Sequence, residues 1–342
     1  AGQQYKMWLL ILNFGLVTLV LGWCMFVYFL LYWFIGLLSR RPKLAEPEEW
    51  PKLSVLIPCY NEAEIIKEKL ENLAAQNYPR ENLEVVFADG GSTDDTTEII
   101  EKAISENELG DKWRVHKCSR GGKINQMNEV MPQLDGEIIV NTDADAILEE
   151  GCLFGIVKEF SSDDSVWVVG AFSRPARGYA IECYYWSAQN RARLIESDAF
   201  SSSIVVAPCY AFRTELLSAF PEDVVADDVY IALSACVKGY RTVYTRQAQA
   251  VELRCPHALS DFLPHKFRKS NALLRESLRF LYQLPEMASL GKLTLLTRIA
   301  QQLLLPWAII WWILNAGALL TLFRFDIVFF GTVFLIMLLA LT

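Results

Sequence analysis

Leu53-Ser54-Val55-Leu56-Ile57-Pro58 is a short, largely β-branched apolar run that stops at a proline. A run without polar alternation is the pattern of a strand buried on both faces of a parallel sheet. Downstream, Ile65, Ile66, Leu70 and Leu73 repeat at helical spacing, which predicts a helix over residues 62–77 capped by Asn61. Residues 83–88 form the next buried run, and Asp89-Gly90-Gly91-Ser92-Thr93 reads as a loop. A helix over 94–105, a strand over 113–117, a helix over 123–131 and a strand over 137–141 follow. This alternation predicts an α/β fold with a mostly parallel sheet and right-handed crossovers. Ligands in such sheets bind beyond the carboxyl ends of the strands. Asp89 and the pair Asp143 and Asp145 both sit at such ends. Further strands are predicted over 166–170, 204–207 and 242–245.

The flanks have a different composition. The chain has 342 residues, is 53% hydrophobic and has a positive mean hydropathy. No charge occurs from Met7 to Ser39, a run longer than the roughly 20 apolar residues that cross a bilayer. Its apolar core is too long for a signal peptide, and no small-x-small cleavage site follows it. Trp8, Trp23, Tyr28, Tyr32 and Trp33 suit membrane interfaces. Further uncharged runs cover residues 299–323 and 327–342, and more spans are expected to follow Thr342. Arg40, Arg41 and Lys43 after the first run predict a cytosolic flank, as does Arg298 before the second. Arg324 and Asp326 would turn on the far side. The division expected is a membrane helix over 1–42, a cytosolic catalytic domain over 43–257, amphipathic interfacial helices over 258–292 and membrane helices over 293–342. The expected location is a multi-pass cell membrane protein.

Eight cysteines are scattered without a C-x-x-C pair, which argues against zinc. A net charge of −8 argues against a nucleic-acid partner. It also means that an anionic substrate needs a local source of positive charge.

Asp143-Ala144-Asp145 follows a buried strand, so both carboxylates can reach one ion, and hard oxygen ligands suit Mg2+ or Mn2+. Such an ion can stabilise charge gathering on a departing diphosphate. Asp89, at another strand end, can accept hydrogen bonds from a nucleobase or lie near the ion; Asp94 or Asp95 reads as a helix cap. In Arg120-Gly121-Gly122-Lys123, the lysine can pair with a phosphate, although the spacing is not that of a Walker loop. Asp227-Asp228 precedes an apolar helix, where one acid suits capping and the other a general base.

Together these segments resemble family 2 inverting glycosyltransferases of the GT-A fold, within the membrane-embedded group of cellulose, chitin, hyaluronan and poly-N-acetylglucosamine synthases. The resemblance runs from about Ser54 to Arg268. It implies that Pro58, Tyr60 and Glu62 flank the nucleotide, and that Asp89, Lys123 and Asp143 bind the donor. It also implies that Asp143 and Asp145 hold the metal, that Asp228, beside Asp227, is the base, and that Arg268 faces the leaving diphosphate. Gly122-Lys123 with Asn125 and Asn128 resembles the stretch before the metal motif, and Phe212-Arg213-Thr214-Glu215 the acceptor-side segment. Processive members carry Gln-x-x-Arg-Trp on the interfacial helix; here His265-Lys266-Phe267-Arg268-Lys269 puts lysine where the aromatic platform belongs. The expectation is therefore transfer of one or a few sugars from a nucleotide sugar, with uridine the commonest donor base in the group, to a lipid, lipid-linked or glycan acceptor. A processive synthase, an inactive scaffold and a nucleotidyltransferase remain as alternatives.

Overall fold

The computed structural model describes residues 2–39, 43–177, 180–256, 258–322 and 325–340. Arg40 and Arg41 of the basic flank, and Arg324 of the predicted turn, lie outside these residues. Helices α1 (Gly2–Gly22) and α2 (Tyr28–Leu38) are joined by a π-helical turn, Trp23–Val27. The α/β part then runs β1 (Leu53–Cys59), α3 (Ile66–Ala74), β2 (Leu83–Asp89), α4 (Thr96–Glu106), β3 (Trp113–Lys117), α5 (Lys123–Val130), β4 (Ile138–Thr142) and β5 (Ala146–Leu148). It continues with α6 (Cys152–Ser162), β6 (Val166–Pro175), α7 (Ala180–Ala199), β7 (Cys209–Arg213), α8 (Asp227–Val237) and β8 (Arg241–Glu252). Four helices follow: α9 (Leu259–Arg279), α10 (Ser289–Leu303), α11 (Leu305–Thr321) and α12 (Phe325–Ala340).

The strands form one sheet in the order β3-β2-β1-β4-β7-β6-β8-β5. The first four are parallel, as the alternation predicts. Beyond β4 the sheet is mixed: β7 runs antiparallel to both β4 and β6, β8 runs parallel to β6, and β5 antiparallel to β8. The pleat sends alternate residues to opposite layers. Val55 and Ile57 pack with Leu70, Ile100 and Ile156, whereas Leu56 packs with Met127, Phe212 and Ile231. Helices therefore cover both faces, and the carboxyl ends of β1, β2 and β4 open at one edge.

Two local expectations are corrected. Residues 204–207 are not a strand; that role falls to Cys209–Arg213, because Pro208 has no N–H to donate to a ladder. Asn61 does not cap α3. It takes a left-handed φ of 55°, and its side-chain oxygen instead accepts from the Thr93 N–H at 2.8 Å.

Gln4–Leu38, 35 residues, is one continuous helix long and apolar enough to cross a membrane. At about 1.5 Å per residue it exceeds the bilayer core, which needs only about 20 residues. Its α2 end docks on α7. Tyr28 Oη donates to Glu196 Oε1 at 2.8 Å, and Gly36 lets the Asp198 backbone approach closely. At the other end, α10 and α11 pass the same length test only as a pair bent by 56°; the break lies just before Pro306, which removes a helical hydrogen bond. Phe325–Met337 is shorter. The run over 299–323 is thus a broken pair and not one straight span.

Candidate active site

The carboxyl-end edge of the sheet opens into a cavity of about 1030 Å³ lined by Lys123, Asp143, Asp145, Asp227, Asp228 and Arg254, among others. β4 ends at Thr142, and the next three residues carry both acids before β5 begins. Lys69 holds this loop from behind. It is fully buried; its ammonium donates to Thr142 Oγ1 at 2.7 Å and to the Ala146 carbonyl, so both shoulders of the acidic pair share one anchor. Burial lowers its proton affinity to about 8. Lys69 was missed in the sequence because a lysine inside an amphipathic pattern reads as surface. Its place on the apolar face of α3, with Ile66, Leu70 and Leu73, was the available signal.

Lys123 opens α5. Gly122 before it has a φ of 103°, a conformation natural to glycine, which turns the chain so that the lysine enters the cavity. Its ammonium lies 2.9 Å from Asp143 Oδ1 and 3.0 Å from Asp227 Oδ2. Burial alone would lower the Lys123 pKa; Asp143 and Asp227 outweigh it and keep the charge in place. Asp227 is itself buried and accepts a second hydrogen bond from Tyr210 Oη at 2.7 Å. Tyr210, on β7, is the second residue the motifs overlooked.

The two members of each acidic pair differ. Asp143 is neutralised by Lys123, whereas Asp145 is pushed up by burial and by Asp143, with Arg254 opposing. Asp227 is fixed by Tyr210 and Lys123. Among the described residues the Asp228 carboxylate accepts from the Val229 N–H alone, at 2.9 Å, and burial followed by the charge of Asp227 pushes it up to about 7. Asp145, raised by burial and by the neighbouring Asp143 carboxylate, favours an added positive charge beside it. With oxygen donors on one short loop, Asp143 and Asp145 are the side chains that could hold Mg2+ or Mn2+.

Asp89 ends β2 and is buried, and its carboxylate gathers the N–H groups of Gly91 and Ser92 and the Ser92 hydroxyl. It shapes the loop through its own carboxylate. Pro58 is half-buried in β1 and Tyr60 is exposed. Glu62 pairs with Arg254, 2.7 Å away; burial raises the Glu62 pKa against the pull of that arginine. Asp94 accepts from the Thr96 N–H just ahead of α4, whose N-cap residue, Asp95, makes no side-chain capping bond. Asn125 and Asn128 bond to the Gly121 and Phe220 carbonyls and serve the loops.

α9 closes the cavity. Arg268 is exposed on it and forms no ion pair among the described residues. Lys269 reaches Glu252 at 3.3 Å, next to the acidic loop, where the Leu253 N–H donates to the Asp145 carbonyl. Its ammonium also lies 5.8 Å from the ring of Trp186. The aromatic surface absent from position 269 is therefore contributed to the cavity wall by α7, through Tyr185 and Trp186. Away from the cavity, His116, Cys118 and Glu129 bring ligand atoms within 4.8 Å of one another. Glu129 already accepts from the Ser119 N–H and hydroxyl, and burial pushes the Cys118 thiol up to about 12, so this cluster is a loop clamp. All eight cysteines are free.

Residues 54–220 match the family model for glycosyl transferase family 2. That segment resembles family 2 glycosyltransferases. Poly-beta-1,6-N-acetyl-D-glucosamine synthase of Staphylococcus aureus (strain COL) is 28% identical over 155 residues, covering 42% of this chain and 36% of that protein. Beta-monoglucosyldiacylglycerol synthase of Nostoc sp. is 31% identical over 132 residues, covering 38% and 28%. The match thus spans about a third of the length of these curated relatives. Among solved structures, the mannosyltransferase PcManGT from Pyrobaculum calidifontis, in complex with GDP-Man and Mn2+, has a TM-score of 0.74 at 27% identity, covering 90% of this chain and 87% of that one. S. aureus TarS 1-349 with UDP-GlcNAc has a TM-score of 0.50 at 21% identity, covering 74% and 71%, a likeness of fold alone. The matched segment contains Asp89, Lys123, Asp143 and Asp145, whereas Asp227, Asp228 and Arg268 lie beyond it. What joins the two groups is Lys123.

Proposed function

We propose that this protein is an inverting, metal-dependent glycosyltransferase. It moves a sugar from a UDP- or GDP-linked donor to a lipid, lipid-linked or glycan acceptor at the cytosolic face of the membrane. The observation that carries the reading is Lys123, held between Asp143 of the donor side and Asp227 of the acceptor side. One cation spanning both acidic pairs supports a point of charge development between them. Asp143 and Asp145 would hold Mg2+ or Mn2+, which supplies a Lewis acid to the diphosphate. Pro58, Tyr60, Glu62 and Asp89 frame the nucleotide. Lys123 and Arg268 neutralise the departing nucleoside diphosphate, Arg268 with its permanently charged guanidinium.

Asp228 takes the acceptor proton. Its proton affinity near 7 suits a base working at neutral pH. As the acceptor oxygen attacks the anomeric carbon, the bond to the diphosphate breaks on the opposite face, and the centre inverts. Asp227, bound by Tyr210 and Lys123, orients the helix start that carries Asp228. The Gln4–Leu38 helix anchors the domain, α9 lies at the membrane surface, and α10 to α12 add further membrane segments, in keeping with the division at residues 42, 257 and 292. Lys269 is committed to Glu252, which favours one or a few transfers over processive synthesis.

The test is a screen of radiolabelled UDP- and GDP-sugars with membrane extract and Mn2+. Label should enter the lipid fraction with wild-type protein and not with Asp143→Ala. Label in long polymer would overturn the single-transfer reading, release of pyrophosphate would point to nucleotidyl transfer, and no consumption of any donor would favour an inactive scaffold.

A further inference from the structure

Among the charged side chains of the cavity wall that the proposed roles leave unused, Arg193 has no ion pair among the described residues. Arg193, on α7, is 7% exposed and lines the cavity. Its Nη1 donates to Asn190 Oδ1 at 3.0 Å, and its guanidinium lies 5.7 Å from the Trp186 ring and 5.6 Å from the Tyr244 ring. Tyr244 Oη also donates to Asn190 Oδ1, at 2.7 Å, so a rigid neutral frame fixes the arginine. Its Nε has no hydrogen-bond partner, and it forms no ion pair among the described residues. A buried guanidinium without a carboxylate costs several kcal/mol unless an anion reaches it. Arg193 and Asp228 line the same cavity, and the arginine's charge opposes the burial that raises Asp228, which sets Arg193 on the acceptor side.

The surroundings add to the argument. Lys266, Lys269 and Arg275 of α9 line the same cavity in a protein of net charge −8. Lys266 ties the two helices together by pairing with the fully buried Glu182 of α7 at 2.8 Å. On either side of that tie, α7 exposes Ile181 and Tyr184, and α9 exposes Leu263 and Phe267, the last 75% exposed. Exposed apolar side chains on α7 and α9, the helices that bring Arg193, Lys266, Lys269 and Arg275 to the cavity wall, match a molecule with an anionic head and an apolar tail.

We propose that the acceptor end of the cavity binds a phosphate-bearing lipid headgroup, and that Arg193 is the residue that grips it. The headgroup phosphate takes the free edge of the guanidinium, the tail leaves between α7 and α9, and the acceptor hydroxyl reaches Asp228. This rests on the glycosyltransferase reading, and the experiment separates the two.

Full-length protein in neutral detergent is first saturated with UDP or GDP and Mn2+, so that no diphosphate can enter the donor site. Equilibrium binding of tritiated farnesyl diphosphate, farnesol and inorganic pyrophosphate is then compared. Farnesyl diphosphate should bind at least about tenfold more tightly than either of the others, the charge and the tail each contributing. Arg193→Gln should erase the preference over farnesol, and Arg193→Lys should keep part of it. Nucleotide binding within twofold of wild type would show that both variants are folded. Farnesol or pyrophosphate binding as tightly as farnesyl diphosphate, or an unchanged preference in Arg193→Gln, overturns the proposal. Failure of both nucleotides to bind would instead overturn the transferase reading itself.

Discussion

Asp228→Asn replaces a carboxylate by an amide of the same shape at the cavity wall, and its consequences divide cleanly between activity and stability. In the folded protein burial, then Asp227, lifts this carboxyl from its ordinary 3.8 to about 7. The folded pKa is raised, so between about pH 4 and 7 the folded state keeps a proton that the unfolded chain releases. Stability therefore falls as pH rises through that window and is level above it. At about 1.4 kcal/mol per pH unit, the penalty grows by up to about 2–3 kcal/mol between pH 5 and pH 8. The asparagine variant escapes it, so its melting temperature should gain several degrees on wild type between those two pH values. Transfer should fall by about 10²–10⁴-fold, the usual contribution of a positioned base. In wild type, kcat/KM should rise about tenfold per pH unit below 7 and then level off. Initial rates from pH 5.5 to 9, thermal melts at pH 5 and 8, and nucleotide titrations provide the three readings. Full transfer by the variant, or a wild-type rate flat from pH 5.5 to 7.5, would refute the assignment of the base.

Lys69→Met should keep the packing of α3 but free the shoulders of the acidic loop; Mn2+ affinity, read by electron paramagnetic resonance, should drop about 10–100-fold with the fold intact. An unchanged affinity would mean that the loop holds itself. Tyr210→Phe deprives Asp227 of a buried donor and should cost about 1–3 kcal/mol in urea unfolding. Transfer should drop far less than in Asp228→Asn, since Lys123 still holds Asp227. Gly155→Ala puts a methyl group on the Gln247 carbonyl where α6 crosses β8; the backbone must give way, at a cost of about 3 kcal/mol or more, seen as loss of folded protein.

Much of the parallel half of the sheet, with the acids at its strand ends, was legible because local chemistry defines it. A β-branched run without alternation is a buried parallel strand, and an acid after such a strand lies at the open edge of the sheet. Asp89, Asp143 and Asp145 therefore followed from pattern alone, as did the glycine before Lys123. The family match over residues 54–220 covers that same stretch. The antiparallel insertion of β7 was less accessible, because the partner of a strand depends on long-range pairing that periodicity does not encode. Asn61 looked like a cap, but its side chain found a better acceptor role with Thr93, 32 residues away.

What the sequence by itself determined was the order of parts: an apolar helix, an α/β domain with acids at its strand ends, and a basic amphipathic helix after it. Which acid of each pair is held and which is not was decided only by tertiary structure. Asp227 and Asp228 are neighbours of identical chemistry; one meets Tyr210 and Lys123, and the other faces the cavity, where burial raises its affinity for a proton. The same holds for the cations. Lys69, Lys123, Arg193 and Lys269 are all long basic side chains in the sequence. Whether each anchors a loop, bridges two acids, lies buried without a carboxylate or pairs with a glutamate depends on what folding packs around its head group.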